Sequence, residues 1–314
     1  MPQPPLSEQL TDADVPTGTD VYRPTGPLDL VRTLLPLRHG AGDPAWRWTP
    51  DGSVWWATCA PEGPATLRLT PRSGAVHAAA WGPGGLRVLA GVPALLGADD
   101  DDSDFPAHLH PLLDRAHRNL PGLRIGRTGQ VWESLVPAVL EQRVVGLDAQ
   151  ASWRVLVRRH GTPAPGPAPA GLTVPPPPAV WRDLPVWEWR RAGVDAQRHG
   201  TVVRAAAVAH RLTADLPVAE LARRLRTVSG IGPWTLAEVT SRAAGDADAV
   251  SVGDLHLPDL VGWSLAGRRT DDAGMLGLLE PFRPQRQRAL RLLEVVGSRP
   301  PARGPRAPRA RALV

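Results

Sequence analysis

The sequence predicts an α+β chain, with a small N-terminal antiparallel β-rich domain followed by an all-α domain. Three observations carry that prediction. Up to about residue 98, short apolar runs alternate with Gly- and Pro-containing turns. From His108 onward, apolar residues recur at helical spacing. A short turn, Gly230-Ile231-Gly232, then separates two such helical patterns. With 314 residues, the chain is long enough for two cores.

Met1 to Thr19 is polar and Pro-rich and reads as a flexible leader, which sets the β-rich domain at 20–105. Its strand segments are Val54 to Cys59, Ala65 to Thr70, Ala75 to Trp81 and Leu86 to Leu89, with one helix near Leu28 to Leu35. Asp51-Gly52, Glu62-Gly63-Pro64, Pro71 to Gly74 and Gly82 to Gly85 punctuate them. The acidic run Asp99 to Asp104 would repel a polyanion, so it reads as a surface hinge away from any groove.

The helical domain is set at 106–297. Helices are expected over His110 to Asn119, Val131 to Val144 (kinked at Pro137) and Leu147 to Arg159. A Pro- and Ala-rich loop at 161–178 interrupts them. Helical segments resume over Trp181 to Arg191, Val194 to Leu212, Asp254 to Ala266, Asp271 to Glu280 and Pro284 to Val296. Residues 298–314 alternate Pro, Ala and Arg and read as a disordered basic tail whose arginines add nonspecific phosphate attraction.

Composition excludes several chemistries. All 36 residues counted as Lys plus Arg are Arg, so no side chain can form a Schiff base. Cys59 is the single cysteine, which rules out disulfide frameworks and four-Cys metal sites within one chain. No apolar stretch reads as a signal peptide or a membrane span, and a reduced, cytoplasmic setting fits. The formal net charge of +5 is compatible with a polyanionic partner.

The hairpin carries the strongest functional signal. Val218, Leu221, Leu225 and Val228 lead into it, and Leu236, Val239 and Ala243 continue after it. Pro233 suits a first helical position, where a missing N–H costs nothing. Two glycines let the backbone bend sharply and approach a partner closely. The amides of Gly230, Ile231 and Gly232, with Thr235 in the first turn, then form an anion site suited to a DNA phosphate. Gly-x-Gly alone reads equally as a helix stop. The longer string Val228-Ser229-Gly230-Ile231-Gly232-Pro233-Trp234-Thr235 resembles the helix-hairpin-helix of base-excision DNA glycosylases.

Asp254 lies 24 residues after Gly230, within Val252-Gly253-Asp254-Leu255. On its own it reads as an N-cap of the next helix. In this order, hairpin and then Asp, the chain resembles the 3-methyladenine DNA glycosylase II branch over roughly Tyr22 to Val296. That resemblance makes Asp254 the catalytic carboxylate. Breaking an N-glycosidic bond builds positive charge on the sugar, which a fixed anion stabilises.

The resemblance also places Trp234 where lyase-type members hold a catalytic lysine, which implies hydrolysis without strand cleavage. It places Gln142 against the DNA opposite the pocket and Arg143 in the gap left by the extruded base, with Trp132, Trp181, Trp187 and Trp189 as wall residues. A buried, backbone-bonded Gln, a solvated Arg and core tryptophans are the competing readings. His256, flanked by Asp254 and Asp259, fits no metal-ligand spacing. No cofactor is implied beyond a structural Na+ or K+ at the Val228 and Ile231 carbonyls.

Two positions depart from the branch: Glu238 and Glu294 stand where aromatics are common, and Glu238 offers a way to recognise a cationic base. The implied function is a monomeric, nucleoid-associated, monofunctional glycosylase removing alkylated purines from double-stranded DNA. A noncatalytic lesion sensor, or a glycosylase for another damaged base such as an oxidised purine, are the rivals.

Overall fold

A computed structural model describes residues 14–301 of the chain. The chain groups into two compact units, each assembled from separate stretches. One, the sheet unit, holds residues up to Arg23 together with Pro44–Val92 and Val157–Pro176. The other, the helical unit, holds Pro24–Asp43, Pro93–Leu156 and the chain from Pro177 onward. This grouping differs from a single cut near residue 105.

The sheet unit is built on five antiparallel strands: β1 (Gly18–Tyr22), β2 (Trp46–Trp48), β3 (Val54–Ala60), β4 (Gly63–Arg72) and β5 (Ala75–Trp81). Their order is β1-β5-β4-β3-β2. The β4–β5 register pairs Arg72 with Ala75, leaving Ser73 and Gly74 as a two-residue loop. Both have positive φ, 48° and 75°, the backbone that a tight hairpin with strand-matched twist requires. Alternation buries Trp55, Ala57 and Trp81 on one face, with Trp55 and Trp81 stacked at 5.5 Å.

Three expectations need correction here. The leader is already structured by Gly18, where β1 pairs with β5, and Asp14 accepts the Trp81 indole N–H at 3.0 Å; residues 1–13 lie outside the described residues. Leu86 to Leu89 is part of a helix, Gly85–Ala90, because a short apolar run does not by itself distinguish strand from buried helix. The Pro-rich 161–178 stretch is no free loop. Thr162–Pro163 pairs with Thr173–Val174, and Leu172 and Val174 complete the tryptophan core.

The helical unit packs Phe105, Leu113, Leu260, Met275, Leu279, Phe282 and Leu293 into one core. The helix Val131–Leu140 runs through Pro137 and stops four residues short of the expected end; Arg143 beyond it takes φ 56°. The acidic run is no hinge. Asp100 pairs with Arg288, the side chains being 5% and 2% exposed, and accepts the Ile125 N–H at 2.8 Å. Asp99 pairs with Arg127 and Asp102 with His117. Only the Asp100–Arg288 pair is deeply buried, and charges that deep stay paired; Asp99 and Asp102 keep much of their side chains exposed. Of the expected tail, Ser298 donates its N–H to Ser264 and Pro301 accepts from Arg269; residues 302–314 lie outside the described residues. Among the described residues no helix is long and apolar enough to cross a membrane.

Candidate active site

The hairpin joins helix Val218–Arg226 to helix Pro233–Ala244. Leu221 and Leu225 anchor the first helix in the core, and Pro233 opens the second. Gly230 takes φ +100°, and a Cβ there would sit 2.2 Å from Thr201 Oγ1, so the position admits only glycine. Gln142 spans the turn: its Nε2 donates to the Gly230 carbonyl at 2.9 Å and to Thr235 Oγ1 at 2.8 Å. Arg204 Nε donates to the Ser229 carbonyl at 3.0 Å.

The amides of Gly230, Gly232, Trp234 and Thr235 find no acceptor among the described residues, so the turn and the following helix N-terminus keep donors for an anion. Ile231 differs from expectation: its N–H is spent on the Val228 carbonyl at 3.1 Å and its side chain is buried. Thr235 is only 2% exposed and its hydroxyl accepts from Gln142, so its side chain is not free for an anion.

Beside the hairpin lies a cavity of about 310 Å³ lined by Trp234, Glu141, Glu238, Arg242, Asp254 and residues of the last helix. Asp254 is fixed in it from two sides. Its Oδ1 accepts the N–H groups of His256 and Leu257 at 2.8 and 2.9 Å, and its Oδ2 accepts the Trp234 indole N–H at 3.1 Å. Asp254 is not the N-cap of the next helix, a position held by His256; two residues earlier, it accepts the amides of His256 and Leu257, so the start of helix Leu257–Ala266 orients the carboxylate that lines the cavity. Gly253, at φ +93°, turns the loop, and its N–H donates to Asp272 Oδ1 at 3.1 Å.

Glu238 and Glu294 are both paired with arginine. Glu238 holds Arg242 with one oxygen and the Ser251 hydroxyl with the other, and Arg242 Nε reaches the Pro36 carbonyl at 2.9 Å. Glu294 pairs with Arg291, whose pKa burial pulls down.

Glu141 also lines this cavity, and no pattern in the sequence singled it out. Burial pushes its carboxyl up to about 7; the Glu238 and Asp254 carboxylates add to the rise, and Arg242 opposes it.

Gln142, Arg143 and Trp132 do not line the cavity. Gln142 braces the hairpin, and Arg143 is exposed in a left-handed conformation uncommon for a side chain with a Cβ. Trp181 and Trp189 are wholly buried in the core, and Trp187 is 67% exposed, so none of the three forms a wall of this cavity. Of the two carbonyls expected to hold a monovalent cation, that of Val228 already accepts the Ile231 N–H at 3.1 Å, and the intervening carbonyls of Ser229 and Gly230 are engaged by side chains.

The chain thus combines a β-rich unit, a helical unit and a glycine hairpin ahead of a cavity carboxylate, and its fold is similar to that of solved DNA glycosylases. A 3-methyladenine DNA-glycosylase from Archaeoglobus fulgidus superposes with a TM-score of 0.72 at 15% identity, over 87% of this chain and 97% of that one. MBOgg1 in complex with a low-affinity DNA ligand gives 0.68 at 16% identity, over 88% and 93%. The apo 8-oxoguanine glycosylase/lyase of Clostridium acetobutylicum gives 0.66 at 13% identity, over 88% and 95%. No family model matches the chain, and no curated protein matches it in sequence.

Proposed function

We propose that this chain is a monofunctional DNA glycosylase that hydrolyses the N-glycosidic bond of alkylated purines. The observation that carries the reading is Asp254. Its carboxylate is locked by two amides and the Trp234 indole into the cavity beside the hairpin. The hairpin amides grip a phosphate of duplex DNA, and the damaged nucleotide swings out of the stack into the cavity. As the base departs, the sugar becomes cationic, and Asp254 stabilises that charge and orients the attacking water. An alkylated purine already carries positive charge and leaves without a strong acid. With Trp234 where an amine would stand, and no lysine in the chain, no side chain forms an imine and the strand stays intact. Arg143 fills the vacated position in the duplex, and a Na+ or K+ on the Val228 and Ile231 carbonyls would stiffen the turn.

The test is release of methylated bases from alkylated duplex DNA, repeated with Asp254→Asn. Release abolished with DNA binding retained supports the enzyme. Tight binding by the native chain with no release points instead to a lesion sensor. The charged wall of the cavity, Glu238 with Arg242 and Glu294 with Arg291, gives weight to a second reading, a glycosylase for another class of damaged purine.

A further inference from the structure

The acids in the cavity are not equivalent. Glu238 is consumed by Arg242 and Ser251, Glu294 by Arg291, and Asp254 by two amides and an indole. Glu141 alone among them has no hydrogen bond to its carboxyl among the described residues. It caps the helix Val131–Leu140 immediately before Gln142, so its backbone is fixed by the residue that braces the hairpin.

The charges around it come from every neighbouring element. Helix Pro233–Ala244 supplies Glu238 and Arg242, the loop supplies Asp254 and the exposed His256, and the last helix supplies Arg291 and Glu294. Arg124 and Arg299 line the same cavity. Helix Ala196–Ala207 packs on the other side and supplies Arg198, which is spent on Asp195 and on the Leu140 and Gly193 carbonyls. Arg242, the cation acting on Glu141, is already divided between Glu238 and Pro36.

Resting on the glycosylase reading, we propose that Glu141 is a second catalytic residue, a proton donor to the leaving base that extends the site to uncharged damaged purines. In this step the Glu141 carboxyl gives its proton to a ring nitrogen of the purine. The C1′–N9 bond breaks with its electron pair passing to the base, which leaves neutral. Water adds to the sugar cation beside Asp254 and loses a proton, which restores the protonated Glu141 through solvent. The sum is nucleotide plus water giving free base and abasic site, with no oxidant, reductant or metal required. The raised affinity of Glu141 for its proton fits this role, because a donor works best with a pKa near the working pH.

The experiment measures single-turnover release of 7-methylguanine, a cation, and hypoxanthine, which is neutral, from duplex DNA across pH 5.5–9. Glu141→Gln is expected to slow hypoxanthine release by about 100-fold, in line with general acids elsewhere, and to leave 7-methylguanine release within about threefold. The native hypoxanthine rate falls as pH rises through about 7, the pH at which Glu141 loses its proton, and the variant lacks that limb. Equal loss on both bases would make Glu141 a structural group and overturn the inference. So would hypoxanthine release indifferent to the substitution, or a native chain that releases 7-methylguanine only. If the native chain releases neither base, the glycosylase reading falls first and this inference with it.

Discussion

Gly230→Ala strikes the hairpin at its tightest point. Two costs add. The residue must hold φ +100°, which for a side chain with a Cβ costs about 1–2 kcal/mol. The new methyl also meets Thr201 Oγ1 at 2.2 Å and Cγ2 at 2.9 Å, on a helix residue that is wholly buried. Overpacking of that kind costs about 1–3 kcal/mol. The expected total is about 2–5 kcal/mol. At roughly 2–4 °C per kcal/mol for a body of this size, the midpoint of the helical signal at 222 nm falls by about 4–20 °C. The two costs separate in a double variant. Thr201→Ala removes both clashing atoms but leaves the φ strain. Alone it loses the hydroxyl that bonds the Gln197 carbonyl at 3.0 Å and accepts from Arg204 at 3.1 Å, about 1–2 kcal/mol. In the Gly230→Ala background it recovers about 1–3 kcal/mol, so the pair is less destabilised than the sum of its parts. A Gly230→Ala protein melting within 2 °C of native, or a double variant no better than additive, would refute the close packing of the turn on Thr201.

Gln142→Ala strands the Gly230 carbonyl and the Thr235 hydroxyl and is expected to cost about 2 kcal/mol, measured by urea denaturation, with a matching loss of affinity for undamaged duplex. Affinity lost at unchanged stability would mean that Gln142 touches DNA instead of bracing the turn. Arg288→Met leaves the buried Asp100 carboxylate unpaired and costs about 3–5 kcal/mol, whereas the double change with Asp100→Asn costs clearly less; equal losses would show that the pair is not coupled. Glu141 holds its proton more tightly folded, at about 7, than its ordinary 4.5, so its contribution to stability is fully present below 4.5 and is lost as pH rises through about 7. Glu141→Gln should flatten that part of the stability–pH curve and exceed the native protein by about 2–3 kcal/mol at pH 8, checked by denaturation at pH 5 and pH 8.

Long helical periodicity was the most legible feature, because burying one face of a helix writes a pattern that no neighbour has to supply. The hairpin and Asp254 were legible for a related reason: Gly230 answers a local backbone demand, and a turn glycine is visible in sequence. Features set by distant partners were not. The strand β1 has no alternation of its own and exists because β5 pairs with it. Asp99 to Asp104 looked like a repulsive surface run because nothing local reveals that Arg288, Arg127 and His117 arrive to pair with it. Glu141 beside Gln142 reads as one more polar helix end; its proximity to Asp254 and Glu238 is made by the fold. The tryptophans misled in the opposite direction, since Trp181 and Trp189 serve the core, while Trp234 alone reaches the cavity.

The interleaving of the two units has a consequence for making the protein. The sheet unit takes its last stretch from Val157–Pro176, so the Trp55–Trp81 face stays uncovered on the ribosome until that stretch has emerged. The helical unit is likewise begun by Pro24–Asp43, which supplies Thr33, Pro36 and Leu37 to the cavity. A fragment starting at residue 106 thus loses part of the wall around Asp254, and one ending at residue 105 leaves its tryptophans to aggregate. Neither unit can be expressed as one uninterrupted piece of gene.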